Sequence, residues 1–156
     1  MLPYAEIYAN KGFKIFPLAE KSKDPFKGSN GFKDATSDIN QIRKWWTEHP
    51  MANIGMATGN GIAVIDVDEG VSNNGVIKQG EESLRIWQED NGVLPETLTS
   101  VTGKGGKHLI YNIKNKCCSA TNVIKDVDVR SDGGYIVLPL RFTKTAIGTS
   151  LSMDLM

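Results

Sequence analysis

"GIAVIDVDEG", Gly61 to Gly70, drives a run of apolar, largely β-branched residues into two carboxylates one residue apart and then turns at a glycine. Such runs favour strands, and in a strand successive side chains alternate between faces. Asp66 and Asp68 therefore share one face, about 6 to 7 Å apart along the backbone, while Ile65 and Val67 share the other. Two carboxylates this close repel each other. A hard divalent cation such as Mg²⁺ or Mn²⁺, which prefers oxygen ligands, removes that cost. The alternative is a solvated strand end before a turn at Glu69 and Gly70.

Upstream of this strand, NIGMATG reads as another strand, and Gly59-Asn60-Gly61 between the two is turn chemistry, so a β-hairpin is expected. Before it, Asp38 and Gln41 have capping-box spacing and Ile39, Ile42, Trp45 and Trp46 form an apolar stripe ended by Pro50, which predicts a helix. The adjacent tryptophans are expected to straddle the edge of its buried face rather than form a base-stacking platform. Residues 2 to 11 predict a first helix stopped by Gly12, and Phe13 to Leu18 a short strand. Between that strand and the second helix, Ala19 to Asp38 is rich in Lys, Gly, Ser and Asp and lacks sustained periodicity. Loops of that length in a compact domain are often functional.

Downstream, EESLRIWQEDNG predicts a third helix stopped by Gly92, and TLTSVT, KHLIYNI, VDVRS and GYIVLP predict strands separated by KGG, the NKCCSATN loop and DGG. Helices followed by a run of tightly turned strands indicate an α+β fold rather than a doubly wound parallel sheet. "TGKGGKHLIY", Thr102 to Tyr111, sets a glycine-rich turn before a strand whose second residue is His108, one of two histidines. Glycines such as Gly105 and Gly106 let backbone N–H groups approach an anion closely. By alternation His108 shares a face with Ile110 and Asn112, while Leu109 and Tyr111 are expected to face the core. In "DVDVRSDGGYIVLP", Asp126 to Pro139, Asp128 and Arg130 share a face with each other and with Asp126, Asp132 lies close on the other side, and periodicity leaves open which of the three aspartates joins Asp66 and Asp68. A third carboxylate would complete a set able to hold two metals, one to activate an attacking oxygen and one to stabilise a leaving pyrophosphate.

With 156 residues, 40% hydrophobic and 23% charged, the chain has the composition of one globular unit with a real core. No segment approaches the apolar length of a membrane span. The opening residues lack the basic start and long apolar run of a signal peptide, so the expected location is cytoplasmic. Eighteen basic residues balance eighteen acidic ones, so any polyanion binding must come from a local cluster. Cys117 and Cys118 are adjacent, poorly placed for a mutual disulfide, and lack zinc-site spacing; no role is assigned to them.

Taken in order, these segments resemble the N-terminal primase/polymerase (Prim-Pol) domain of bifunctional replication proteins of phages, plasmids and prophages, in the archaeo-eukaryotic primase superfamily. The resemblance runs from Ala5 to Pro139 through the loop bearing Lys23 and Pro25, "GFKDATSD", "WW", "ANIGMATG", "VIDVD", "GGKH" and "VDVR" with "DGGYIVLP". It implies an RRM-like catalytic core with a mixed or antiparallel sheet, plus a small N-terminal α/β part. It also implies template-directed nucleotidyl transfer for primer synthesis and extension. Asp66, Asp68 and Asp128 would be the catalytic metal ligands for Mg²⁺ or Mn²⁺, and His108 the nucleotide contact. Lys23, Lys107 and Arg130 are candidate phosphate contacts from charge and place, alongside Gly105 and Gly106. The implied partners are a single-stranded DNA template, nucleoside triphosphates and a replicative helicase, with no membrane.

After Pro139 the family pattern continues with residues that "LRFTKTAIGTSLSMDLM" lacks. With codons chosen for Leu140 to Ser150, a frame two bases later reads Ser-Ile-His-Lys-Asn-Gly-Asn-Arg-Tyr-Glu, which fits that continuation. Residues 1–139 are accordingly expected to form the Prim-Pol-like domain and residues 140–156 a divergent, frameshifted tail. Two other functions use the same residues. A metal-dependent nuclease or phosphohydrolase would use the three carboxylates to activate water, and a non-catalytic remnant would only bind nucleotide or DNA.

Overall fold

The structure is a computed structural model and describes residues 1–140. The expected frameshifted tail, apart from Leu140, lies outside the described residues. Three α-helices and ten strands appear among them: α1 (Leu2–Asn10), β1 (Ile15–Leu18), α2 (Ile39–Glu48), β2 (Asn53–Ala57), β3 (Ile62–Val67), β4 (Glu69–Val71), β5 (Ile77–Gln79), α3 (Gly80–Asn91), β6 (Leu98–Val101), β7 (Lys107–Asn112), β8 (Ala120–Ile124), β9 (Val127–Arg130) and β10 (Tyr135–Val137), with a 3₁₀ turn at Gly31–Asp34. The strands form a sheet ordered β1-β2-β10, a larger sheet ordered β6-β7-β3-β9-β8, and the separate ribbon β4-β5. All pairings within these sheets are antiparallel. The fold is α+β, as expected from the order of elements.

The helices form where their apolar spacing and caps place them. The Asp38 carboxylate accepts from the Asn40 N–H at 2.9 Å, capping the first turn of α2. Ile42 and Trp46 then fall on its buried face, and the Trp46 indole N–H donates to the Ala52 carbonyl at 3.0 Å. Trp45 stays half-buried at the edge of the core, so the tryptophans divide as expected. α1 buries Ala5, Tyr8 and Ala9 against the same cluster, which also takes Ile15, Ile54, Met56 and Ile136 from the smaller sheet and Val64 and Ile110 from the larger one. One core therefore joins the two sheets.

The expected hairpin between β2 and β3 does not form. A tight turn does lie at Gly59–Ile62, where Gly59 and Ile62 exchange backbone hydrogen bonds at 2.8 and 3.1 Å. Beyond that turn the strands part into different sheets. Ala57 pairs with Tyr135 of β10, and the Thr58 N–H donates to Gly134 at 3.0 Å, so both edges of β2 are filled by β1 and β10. β3 pairs instead with β7 and β9 along its length. Three further strands form where none is expected. Glu69 and Gly70, read as a turn, open the ribbon β4-β5, and part of the NKCCSATN loop forms the edge strand β8, whose register against β9 shifts between Ala120 and Ile124.

The Tyr8 hydroxyl donates to the Pro139 carbonyl, fastening α1 to the segment after β10. Burial, with a smaller contribution from the nearby Tyr4, pushes its pKa up to about 12. Because the folded value is the raised one, Tyr8 contributes its full stability below the ordinary phenol value of about 10 and loses it as pH climbs towards 12. The shift corresponds to roughly 2–3 kcal/mol. Thermal melts across this alkaline range should show the wild type losing its advantage over Tyr8→Phe as pH rises.

Candidate active site

The register of the large sheet sets a single polar row across four strands. Ser100 on β6 lies opposite His108 on β7, His108 opposite Asp66 on β3, and Asp66 opposite Asp128 on β9. Neighbouring strands lie about 4.8 Å apart, so the row brings together groups far apart in sequence. The row before it is formed by Leu98, Ile110, Val64 and Arg130, of which Val64 and Ile110 belong to the core. This face of the sheet thus changes from packed core to polar floor within one residue pair.

A cavity of about 500 Å³ opens over this floor, lined by Asp66, Ser100, His108 and Arg130 from the sheet, Lys23 from the long loop and Tyr135 from β10. The Tyr135 hydroxyl donates to the Lys23 carbonyl at 3.1 Å and so holds the loop at the cavity wall. Asp66 lies 3.4 Å from His108 Nε2 and 3.6 Å from Arg130 Nε. Burial works against ionisation of Asp66, but the hydrogen bond from His108 and the charges of His108, Arg130 and Lys23 outweigh it and hold the carboxyl below its ordinary range. Asp128 is tied on both sides, by Arg130 Nη2 at 2.5 Å and by the Asn122 backbone N–H at 2.7 Å. Asn122 can aim that N–H because it sits at the irregularity of β8 with φ 51°, a bulge beside a functional side chain.

Asp68 lies just past the end of β3, where its N–H donates to Asp126 and its carbonyl accepts from Gly80. Among the described residues its carboxylate has neither a hydrogen bond nor an ion pair. Burial first, then the charges of Asp66 and Asp128, push its pKa up, against the weaker opposing pull of Lys78 and Lys23. A carboxyl with a raised folded pKa costs stability once pH exceeds its ordinary value. Asp68→Asn should therefore raise the melting temperature at neutral pH in chelator, while Asp66→Asn, which removes a carboxylate with a lowered pKa, should reduce it.

The alternation that left Asp126 and Asp128 equivalent breaks at the β8–β9 turn. Asp126 takes φ 60° there, and its carboxylate turns to Lys78 Nζ at 2.8 Å and the Gln79 N–H at 3.2 Å. Asp128 is the one placed beside Asp66. Neither Asp128 nor Asp68 lines the cavity, and three other expected contacts are not brought to it either. Lys107 pairs with Val67, so its side chain emerges on the opposite face of β7 from His108. There it meets Glu81 Oε1 at 2.6 Å and lines a different cavity, about 280 Å³, between α3 and the back of the sheet. The Gly105 N–H is consumed inside the turn by Thr102 at 3.0 Å, and Gly106 lies against the backbone of β3. Gly103 is the glycine of this turn that lines the floor cavity. Sequence reasoning passed over Ser100, Asn122 and Lys78. Ser100 was detectable as the polar residue on the inward face of TLTSVT that it shares with Leu98, whereas the other two depend on turn geometry and on β5.

Asp66, Asp68 and Asp128 fit a hard divalent cation in donor chemistry, since they are adjacent oxygen donors whose mutual repulsion shows in Asp68. Their present arrangement does not converge, because Arg130 and Asn122 hold Asp128. Among the described residues no group of three or more His, Cys, Asp or Glu is gathered so as to hold a metal ion. No helix of the described residues is long and apolar enough to cross a membrane. No curated protein matches the chain. The family model described as bifunctional DNA primase/polymerase, N-terminal, matches residues 5–149, a span containing every element from β1 to β10 and the whole polar row. By that match the chain belongs to the Prim-Pol family of bifunctional DNA primase/polymerase N-terminal domains.

Proposed function

We propose that this chain carries the catalytic site of a DNA primase/polymerase, which joins a nucleoside triphosphate to a growing strand under the direction of a single-stranded DNA template. The observation that supports this reading best is the polar row, in which Asp66 pairs with Asp128 on one side and His108 on the other, with Asp66 and His108 on the floor of a cavity flanked by Lys23 and Arg130. Carboxylates at the base and cations at the wall suit a triphosphate whose reacting end must be held and neutralised.

In this reading Asp66, Asp68 and Asp128 would hold Mg²⁺ or Mn²⁺, which would lower the pKa of an attacking hydroxyl and offset charge on the triphosphate. Arg130, paired with Asp128 in this structure, is the guanidinium placed at the cavity wall to receive a phosphate oxygen. His108 presents its Nε2 edge towards Asp66 at the cavity floor, and Lys23 brings a flexible ammonium from the loop.

The test is incubation of the full chain with single-stranded template, deoxynucleoside triphosphates and Mn²⁺ or Mg²⁺, with and without a primer. The expected result is pyrophosphate release and strand extension that both require template. Phosphate release or strand cleavage without template dependence would instead favour the hydrolytic use of the same carboxylates.

A further inference from the structure

Ser100 is fully buried on β6, a strand whose other inward residue, Leu98, packs against the core. A buried hydroxyl without a partner is costly. Its partner is His108, whose Nδ1 lies 3.2 Å from Ser100 Oγ, while Nε2 of the same ring lies 3.4 Å from Asp66 Oδ1. His108 is itself only 7% exposed, at the floor of the cavity. Among the described residues Ser100 is the hydrogen-bond partner of Nδ1.

These contacts fix the direction of the protons. An ionised carboxylate only accepts, so the ring nitrogen facing Asp66 must carry the hydrogen. In the neutral ring Nδ1 is then a lone pair that requires a donor, and a serine hydroxyl can rotate to provide one. We propose that Ser100 is the positioning residue for His108, holding the imidazole in the Nε2–H tautomer and fixing its ring plane by donating to Nδ1. The hydroxyl also limits rotation of the ring about its Cβ–Cγ bond, because a flipped ring would set a carbon against each polar neighbour. Should the site perform the nucleotidyl transfer proposed above, the histidine edge offered to the nucleotide is set before substrate enters; that consequence rests on the proposed function, whereas the tautomer does not.

Nitrogen-15 spectra of the ring nitrogens in the labelled full chain, at alkaline pH where imidazole is neutral, test this directly. The chain has two histidines, His49 and His108, so a His49→Gln variant assigns the signals. The wild type should show His108 as one tautomer, with Nδ1 far downfield of a protonated Nε2. Ser100→Ala should shift both nitrogens towards the averaged values of a free imidazole. Ser100→Cys keeps the volume but replaces a strong donor with a weak one, and it should move them in the same direction even if the alanine variant does not fold. Unchanged nitrogen shifts in the folded variants, or a protonated Nδ1 in the wild type, would overturn the proposal. A wild type that shows the expected tautomer but never extends a primer removes the proposed function and leaves the positioning intact.

Discussion

Asp66→Asn should reduce template-dependent extension on the order of a thousandfold, the equivalent of roughly 4 kcal/mol of transition-state stabilisation. Asp66 occupies the middle of the polar row, with His108 on one side and Asp128 on the other. The amide keeps the shape of the side chain but removes the charge that pairs with Arg130 and accepts from His108. Steady-state extension assays on the purified variant measure the loss, and its melting temperature reports the structural share. Lys107→Ala is the matched control. Its side chain serves α3 from behind the sheet through Glu81, so extension should stay within about twofold of wild type, as expected for a partly exposed ion pair. Equal losses in the two variants would mean that the effect arises from general destabilisation of the sheet and not from chemistry at the floor.

The contrast between these residues shows what the sequence made legible. Strand alternation was enough to place His108 with Ile110 on one face, because period two is imposed by the backbone itself, but not to say which face is core: Ile110 enters it, whereas Leu109 and Tyr111, expected there, line the cavity behind the sheet. It also implied that Lys107 points away from His108, although charge alone had suggested otherwise. Alternation cannot supply register, which is a long-range property. That Ser100, His108, Asp66 and Asp128 form one row depends on pairings between β6, β7, β3 and β9 that no local pattern encodes. The failed β2–β3 hairpin has the same origin. The turn chemistry at Asn60 and Gly61 was real, and both residues adopt positive φ there, but a turn specifies only a reversal. The competing partners β10 and β7, late in the chain, decide what each strand pairs with. The ribbon β4-β5 was missed although Asn74-Gly75 is a hairpin signal, because its strands are three residues each and largely exposed, with little apolar alternation to mark them.

Gly106→Ala should destabilise the fold by about 1–3 kcal/mol, the range for forcing extra volume into a packed site, and should do so whether or not any nucleotide is present. A Cβ on Gly106 would lie 2.3 Å from the Val67 carbonyl oxygen, 3.1 Å from Thr102 Oγ1 and 3.2 Å from the Glu69 N–H. Two of these three neighbours are backbone atoms of the segment that carries Asp66 and Asp68, so relief requires β7 and β3 to separate at the polar row. The flanking glycine behaves differently. Gly105 has φ 88° with open space around its Cβ position, so Gly105→Ala carries only the cost of a left-handed backbone, about 1 kcal/mol. Reading the pair as an anion cradle predicts instead that both alanine variants fold normally and lose nucleotide affinity. Chemical denaturation in the absence of nucleotide separates the two accounts. A large drop in midpoint for Gly106→Ala with a small one for Gly105→Ala identifies Gly106 as the point where the turn must touch the catalytic strand. Its conservation of space, rather than its N–H group, is then what the GGKH stretch contributes to the site.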